Sequence, residues 1–200
     1  MDIAILYYGV GNLFSLKCAL QRAGIEPRIL TIGELEDSID SLILPGVGNF
    51  STAMSEIGAF KTKIFDLIDS GTIVFGICLG MQIFFKRSEE SSEEGLGLIT
   101  GKVVKFMENV KIPHMGWNNL KIVKYHELIE GLADKTYCYF VHSYYPSPLR
   151  RDITITETEY GVTFPSILTY MNLYGSQFHP EKSGEAGRII LENFIKILKR

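Results

Sequence analysis

The stretch Gly76-Ile77-Cys78-Leu79-Gly80 sets a cysteine between two glycines, directly after the apolar run Ile73-Val74-Phe75. This is the glycine–x–nucleophile–x–glycine pattern of a strand-to-helix elbow, with a thiol in place of a serine hydroxyl. So tight a turn leaves no room for Cβ atoms beside the nucleophile, and glycines supply that room. The elbow would lift the sulfur to the top of a sheet, near a helix N-terminus whose partial positive charge favours the sulfur anion. A structural cysteine in an apolar run reads the same in isolation. The chemistry therefore needs a base, and the base a group to orient it.

Four histidines are present, and only His179 has a carboxylate at a telling spacing, in His179-Pro180-Glu181. Proline drives the preceding residue into extended backbone, and residues two apart in an extended chain point to one side. His179 and Glu181 would then lie side by side, giving Cys78, His179 and Glu181 as candidate nucleophile, base and orienter. Pro45-Gly46-Val47-Gly48-Asn49-Phe50 follows the apolar Leu42-Ile43-Leu44. Backbone N–H groups of Gly46, Val47 and Gly48, with that of Leu79, suit an oxyanion hole. The loop is not a dinucleotide site, and neither is Gly9-Val10-Gly11, because Ser51 and Phe14 stand where a third glycine would be. No His or Cys pair has zinc-binding spacing, so no metal and no cofactor is expected.

Several elements must carry these groups. Ile3–Tyr8, Ile29–Ile32, Leu42–Leu44 and Ile73–Phe75 read as short buried strands. Between them lie a helix capped by Asn12 and closed by Gly24, and a second over Phe60–Ser70; Met81–Arg87 also reads as helical. Strands this apolar, separated by helices, predict a parallel sheet covered on both faces. After Gly95 the texture changes to Gly101–Phe106, Leu120–Val123, Tyr137–His142, Ile153–Thr158, Phe164–Tyr170 and Leu173–Phe178, which predict hairpins or a mixed sheet edge. Gly187–Arg200 is an amphipathic closing helix. The acidic run Ser88–Glu94 reads as a solvated loop, and residue type alone assigns no role to Trp117 or to the aromatic Tyr137, Tyr139, Phe140, Tyr144 and Tyr145.

Composition narrows the classes. Twenty Lys and Arg against 23 Asp and Glu give a net charge of −3 over 200 residues, without the basic face of a nucleic-acid binder. The longest apolar stretch, Ile73–Phe85, is interrupted by Gly76, Gly80 and Gln82 and falls short of the roughly 20 residues of a spanning helix. The N-terminus lacks a basic leader, and three widely spaced cysteines offer no disulfide framework, so a reducing cytoplasm is expected.

Taken in order, the glycine loop, the cysteine elbow and the late His-Pro-Glu resemble the class I (triad) glutamine amidotransferases. Within them the chain looks most like the glutaminase subunits that serve imidazole glycerol phosphate synthase in histidine biosynthesis. The specific stretches are Pro113-His114-Met115-Gly116-Trp117-Asn118 and Phe140-Val141-His142-Ser143-Tyr144. The resemblance implies one domain over residues 1–200: a three-layer α/β/α fold with a mostly parallel central sheet plus a smaller antiparallel sheet. It implies that Cys78, His179 and Glu181 hydrolyse glutamine, that Gly46, Val47, Gly48 and Leu79 line the oxyanion site, and that Gln82, Glu90, His142, Ser143 and Tyr144 hold the substrate. Asn12, Trp117, Tyr137, Tyr139 and Lys182 would face a partner cyclase, a (β/α)8 barrel in a heterodimer that uses the ammonia to make imidazole glycerol phosphate and AICAR. Ser166 and Ser176 depart from the family pattern and bear on local packing. The residues by themselves leave open a stand-alone hydrolase such as a γ-glutamyl peptidase or a Cys-elbow esterase, a non-catalytic scaffold, and a glutaminase serving anthranilate or pyridoxal phosphate synthesis.

Overall fold

Ile3, Ala4, Ile5 and Leu6 are all buried, which a strand achieves only when helices cover both faces of its sheet. Alternation divides them: Ile3 and Ile5 pack with Leu16, Leu20 and Phe194, whereas Ala4 and Leu6 pack with Phe50, Met54 and Ile64. The computed structural model describes residues 1–200 except 10, 37, 108 and 109. Val10 of the first glycine turn lies outside the described residues.

The chain runs β1 (Ile3–Tyr7), α1 (Leu13–Arg22), β2 (Arg28–Thr31), β3 (Ser41–Leu44), α2 (Phe50–Ile57), α3 (Lys61–Asp69), β4 (Ile73–Ile77) and α4 (Leu79–Gln82). There follow β5 (Phe85–Ser88), β6 (Ile99–Lys105), β7 (His114–Ile122), β8 (Thr136–His142), β9 (Tyr144–Pro148), β10 (Thr154–Glu159), β11 (Thr163–Tyr170), β12 (Leu173–Ser176) and α5 (Gly184–Leu198). Among the described residues, nine strands form one sheet in the order β2-β1-β3-β4-β12-β11-β10-β7-β8, and β5-β6-β9 form a second. Pairing is parallel from β2 to β12 and antiparallel from β12 to β8. The small sheet is mixed as well, with β5 parallel and β9 antiparallel to β6. α1 and α5 cover one face of the parallel half, α2 and α3 the other.

Local chemistry explains most boundaries. The Asn12 side chain accepts the Ser15 N–H at 3.2 Å and opens α1; Asn49 does the same for Thr52 at 2.8 Å and opens α2. No pattern in the sequence singled out α2 or β9. The expected helix over Met81–Arg87 is not formed: α4 stops at Gln82, and β5 begins at Phe85. Ile83, Phe84 and Phe85 are consecutive and fully buried, which one helical face cannot achieve. The carbonyls of Ile83 and Phe84 instead accept the N–H groups of Leu96, Leu98 and Ile99. Ser166 and Ser176 satisfy their hydroxyls inside the core, on Thr156 Oγ1 at 2.9 Å and on the Phe178 carbonyl at 3.1 Å.

Parallel strands end on the same side, so β1, β3, β4 and β12 deliver Tyr8, the Pro45–Gly48 loop, Cys78 and Gln177–His179 to one edge of the sheet. That convergence is tight. A Cβ on Gly80 would stand 1.9 Å from the Leu44 carbonyl oxygen, one on Gly76 2.5 Å from the Gly80 oxygen, and one on Gly46 2.4 Å from Leu79 Cβ. We expect Gly80→Ala to destabilise the protein by about 2 kcal/mol or more in urea unfolding, since the clash is with backbone. Gly58→Ala is the control: its backbone is helical (φ −56°, ψ −38°) and its Cβ would meet nothing within 4 Å, so it should be neutral or stabilise by up to about 1 kcal/mol.

Candidate active site

Cys78 follows β4 with φ +53° and ψ −107°, a left-handed backbone that a residue with a Cβ adopts at a cost. Surrounding bonds hold it there: its N–H donates to the Ser176 carbonyl at 2.7 Å, and its own carbonyl accepts from Met81 and Gln82, each at 3.1 Å. The Leu79 N–H beside it has no protein acceptor among the described residues. On the facing loop, Gly46 fits against Leu79 and Gly80, and Gly48 takes φ +134°. The loop is braced from behind, where the buried Tyr8 hydroxyl donates to the Pro45 carbonyl and Gly11 lies against the Pro45 ring. Burial, with the Cys78 sulfur nearby, pushes the Tyr8 phenol well above its ordinary value.

His179 is 1% exposed, and its Nδ1 lies 2.9 Å from Glu181 Oε1. The pairing expected from an extended chain arises differently. His179 is extended (φ −101°, ψ 99°), as the proline requires, but Pro180–Lys182 then form a 3-10 turn, with Pro180 at its first position. The turn hangs on β8: the His179 N–H donates to the Tyr139 carbonyl at 3.0 Å, and the Ser183 hydroxyl joins the His179 carbonyl at 2.7 Å to the Tyr139 N–H at 3.0 Å. Among the described residues, His179 Nε2 and Glu181 Oε2 are buried polar atoms with no hydrogen-bond partner. Burial alone would depress the imidazole, but the Cys78 sulfur and the Glu181 carboxylate outweigh it and hold the ring well above its ordinary value. The carboxylate thus fixes the Nδ1–H tautomer and leaves Nε2 free to exchange a proton.

Cys78, the Gly46–Gly48 loop, Leu79, Gln82, Glu90 and His142–Tyr144 line one cleft of about 260 Å³, together with Pro113 and Val141. Its size is below the roughly 300–1,000 Å³ of drug-sized ligand sites and fits a small metabolite. Glu90 leaves the acidic run to enter this cleft, half-buried, where Oε2 accepts the Phe50 N–H at 3.1 Å. Burial pushes its carboxyl upward, opposed by that N–H. Glu89 stays outside and pairs with Lys102 at 2.8 Å. His142 lines the cleft with both ring nitrogens engaged: Nδ1 donates to the Tyr144 carbonyl at 2.8 Å, and Nε2 accepts from His114 Nδ1 at 2.9 Å. His114 Nε2 in turn accepts from Asn118 Nδ2 at 3.2 Å. A carbonyl can only accept, so this series fixes both tautomers and keeps both rings neutral.

Outside the cleft, Trp117 and Tyr137 are more than half exposed on the β7–β8 hairpin. The Trp117 and Tyr139 rings meet edge to face at 6.1 Å, and the Lys182 ammonium lies 6.0 Å from the Tyr139 ring centre. Asn12 is exposed at the start of α1, engaged in its cap. The sequence pattern did not single out Gln177, which is fully buried with its amide against Cys78; the signal available was a glutamine between Ser176 and Phe178 in the strand-like Leu173–Phe178, since a buried amide needs partners. Among the described residues no cluster of His, Cys, Asp and Glu is arranged to hold a metal ion, and no helix is long and apolar enough to cross a membrane.

The model of the class-I glutamine amidotransferase family matches residues 5–198. The chain is 44% identical to the imidazole glycerol phosphate synthase subunit HisH of Methanocaldococcus jannaschii, over 98% of this chain and 100% of that one. It is 42% identical to the HisH subunit of Sulfolobus acidocaldarius over the full length of both. A crystal structure of a glutamine amidotransferase superposes with a TM-score of 0.78 at 20% identity, covering 100% of both chains. PurLQS from Thermotoga maritima superposes at 0.79 and 18% identity, covering 98% of each chain. At those identities the structures speak for the fold alone.

The two neutral histidines make stability depend on pH. Burial lowers His114 to about 4 and His142 to about 3, against an ordinary value of 6.5. Between pH 6.5 and about 4 the unfolded chain therefore binds more protons than the folded one, and stability falls as pH falls. The raised His179 acts in the opposite sense and only above pH 6.5, outside this window. Urea unfolding should show a loss of about 2–4 kcal/mol from pH 6.5 to 4.5, with a shallower slope in His114→Asn.

Proposed function

The chain belongs to the class-I glutamine amidotransferase family, and from that premise we propose that it works as the glutaminase subunit of an imidazole glycerol phosphate synthase. It hydrolyses glutamine to glutamate and ammonia within one domain spanning residues 1–200. The observation that carries the reading is the buried Nε2 of His179, without a hydrogen-bond partner among the described residues, near a cysteine held on a strained elbow whose following N–H, that of Leu79, likewise has no protein acceptor among them.

The Cys78 sulfur attacks the side-chain amide carbon of glutamine, and the oxyanion forms toward the Leu79 N–H and the Gly46–Gly48 loop. His179 delivers a proton from Nε2 to the leaving nitrogen, and ammonia departs. Nε2 of His179 then takes a proton from water as that water attacks the γ-glutamyl thioester, and gives it to the departing sulfur; glutamate is released and the thiol is restored, ready to pass its proton to Nε2 when the sulfur attacks again. Glu181 keeps the ring in the tautomer both steps need and stabilises the imidazolium between them. Glu90 is the acidic group available to the substrate's ammonium, while Gln82 and the backbone of His142–Tyr144 border the rest of the molecule. One oxyanion donor is worth about 3 kcal/mol of barrier. A turn of the loop at Gly48 that supplies or withdraws such an N–H would switch the rate.

Ammonia released into bulk water is protonated and ceases to be a nucleophile, so the product requires a docked acceptor. We assign that role to a cyclase subunit with a (β/α)8 barrel, seated on the face that bears Trp117, Tyr137, Tyr139, Lys182 and Asn12. Such a heterodimer would make imidazole glycerol phosphate and AICAR in the cytoplasm, for histidine biosynthesis.

Cys78→Ala should abolish glutamine hydrolysis while co-purification with the cyclase and ammonia-driven synthesis by the complex persist; hydrolysis surviving in this variant would refute the triad. Glutaminase activity of the isolated chain should be weak and rise about a hundredfold when the cyclase and its ligand are added, as one oxyanion donor brought into place requires. Equal rates with and without them would refute the coupling.

A further inference from the structure

The elbow fixes the backbone of Cys78, so the position of its sulfur depends on one side-chain torsion and on what touches Sγ. Besides the nearby His179 ring, which the sulfur holds above its ordinary value, two groups hydrogen-bond with Sγ among the described residues. The Val141 carbonyl on β8 lies 3.8 Å away and accepts from the thiol, and Gln177 Nε2, just past β12, donates to the sulfur at 3.4 Å. Gln177 is fully buried, with its backbone N–H bonded to the Ser166 carbonyl at 2.9 Å.

The direction of the Gln177 amide is set by its neighbours. Its Oε1 accepts from Gln82 Nε2 at 3.0 Å, and the same Gln82 nitrogen donates to the Tyr144 carbonyl at 2.8 Å. That carbonyl also takes the His142 Nδ1–H at 2.8 Å. A carbonyl only accepts, so the end of Gln82 that faces Tyr144 must be its NH2 group. That NH2 needs an acceptor on its other side, so Gln177 must present Oε1 to it, and its own NH2 is left against the sulfur. Turned over, Gln177 would bring two donors face to face and set a carbonyl oxygen against the nucleophile.

We infer that Gln177 is a positioning residue for Cys78, aiming an N–H at the sulfur in an orientation imposed by Gln82 and the Tyr144 carbonyl. The inference rests on the reading of Cys78 as the nucleophile. A donor aimed at a sulfur strengthens its hold as the sulfur gains negative charge. Gln177 therefore acts on the attacking state and not on the affinity for glutamine. Gln82, in addition to bordering the substrate, acts on the sulfur through Gln177 before any substrate arrives.

The test is alkylation of Cys78 by iodoacetamide in the full chain without glutamine, followed by mass spectrometry of the Cys78 peptide, alongside steady-state glutaminase kinetics of the complex. Gln177→Met keeps the volume and removes the donor. It should slow alkylation and lower kcat by about tenfold each, with KM within about twofold, the effect of one hydrogen bond to a charged group. Gln177→Glu, which sets an acceptor against the sulfur, should slow both at least as much. Gln82→Met should slow alkylation in the free chain yet add nothing in the Gln177→Met background, because the two act in series. Wild-type alkylation rates in any of the folded single variants, or an effect confined to KM, would overturn the inference. Gln82→Met decides the matter without altering Gln177 should both Gln177 variants misfold. Failure of the nucleophile reading has a different signature, glutamine hydrolysis surviving Cys78→Ala.

Discussion

The approach of Gly80 to the Leu44 carbonyl leaves no space for even a methyl group, and the arrangement of the catalytic end depends on it. Because α4 passes this close to the end of β3, β4 must turn within a single residue, and that residue takes the left-handed backbone of Cys78. The cost of that conformation, of order 1–3 kcal/mol, is offset by the bonds of the Cys78 peptide to Ser176 and the first turn of α4. The same closeness seats Gly46 against Leu79 and Gly80, so the loop and the elbow are one packed unit. The Leu79 N–H, which has no protein acceptor among the described residues, sits in this unit directly after Cys78.

Around this unit the polar groups fall into two kinds. His114 and His142 have every ring nitrogen engaged, and both stay neutral. Among the described residues His179 has one nitrogen engaged and one without a partner, and its ring is driven toward the charged form. All three are buried, so burial does not separate them. The number and sense of their hydrogen bonds does: a saturated imidazole is part of the framework, and one with an idle nitrogen beside a thiol can carry protons.

Much of this was legible in the residues. The elbow glycines announced a close approach, which is found, and His-Pro-Glu announced a paired imidazole and carboxylate, although a 3-10 turn and not an extended strand brings them together. Much of the parallel half of the sheet was legible because β1, β3 and β4 carry the uninterrupted apolar runs Ile3–Leu6, Leu42–Leu44 and Ile73–Phe75. β5 was not, since Ile83-Phe84-Phe85 suits a helix as well as a strand until β6 offers its edge. By residue type Glu90 looked like its acidic neighbours; only the resemblance set it apart, and in the fold the N-terminus of α2, which the sequence pattern did not reveal, does so. Gln177 was hidden for the same kind of reason: its role lies in contacts with residues 95 and 99 positions away in the chain.

Tyr139 serves two masters at once. Its ring belongs to the exposed cluster with Trp117 and Lys182, while its backbone carbonyl carries the His179 N–H and its N–H is tied to Ser183. A load on the outer aromatic face is thus one residue removed from the imidazole, with only a strand backbone and short hydrogen bonds between. The exposed aromatic cluster and the backbone from which the His179 imidazole hangs therefore share a residue, joined by hydrogen bonds of 2.7–3.0 Å and one stretch of strand.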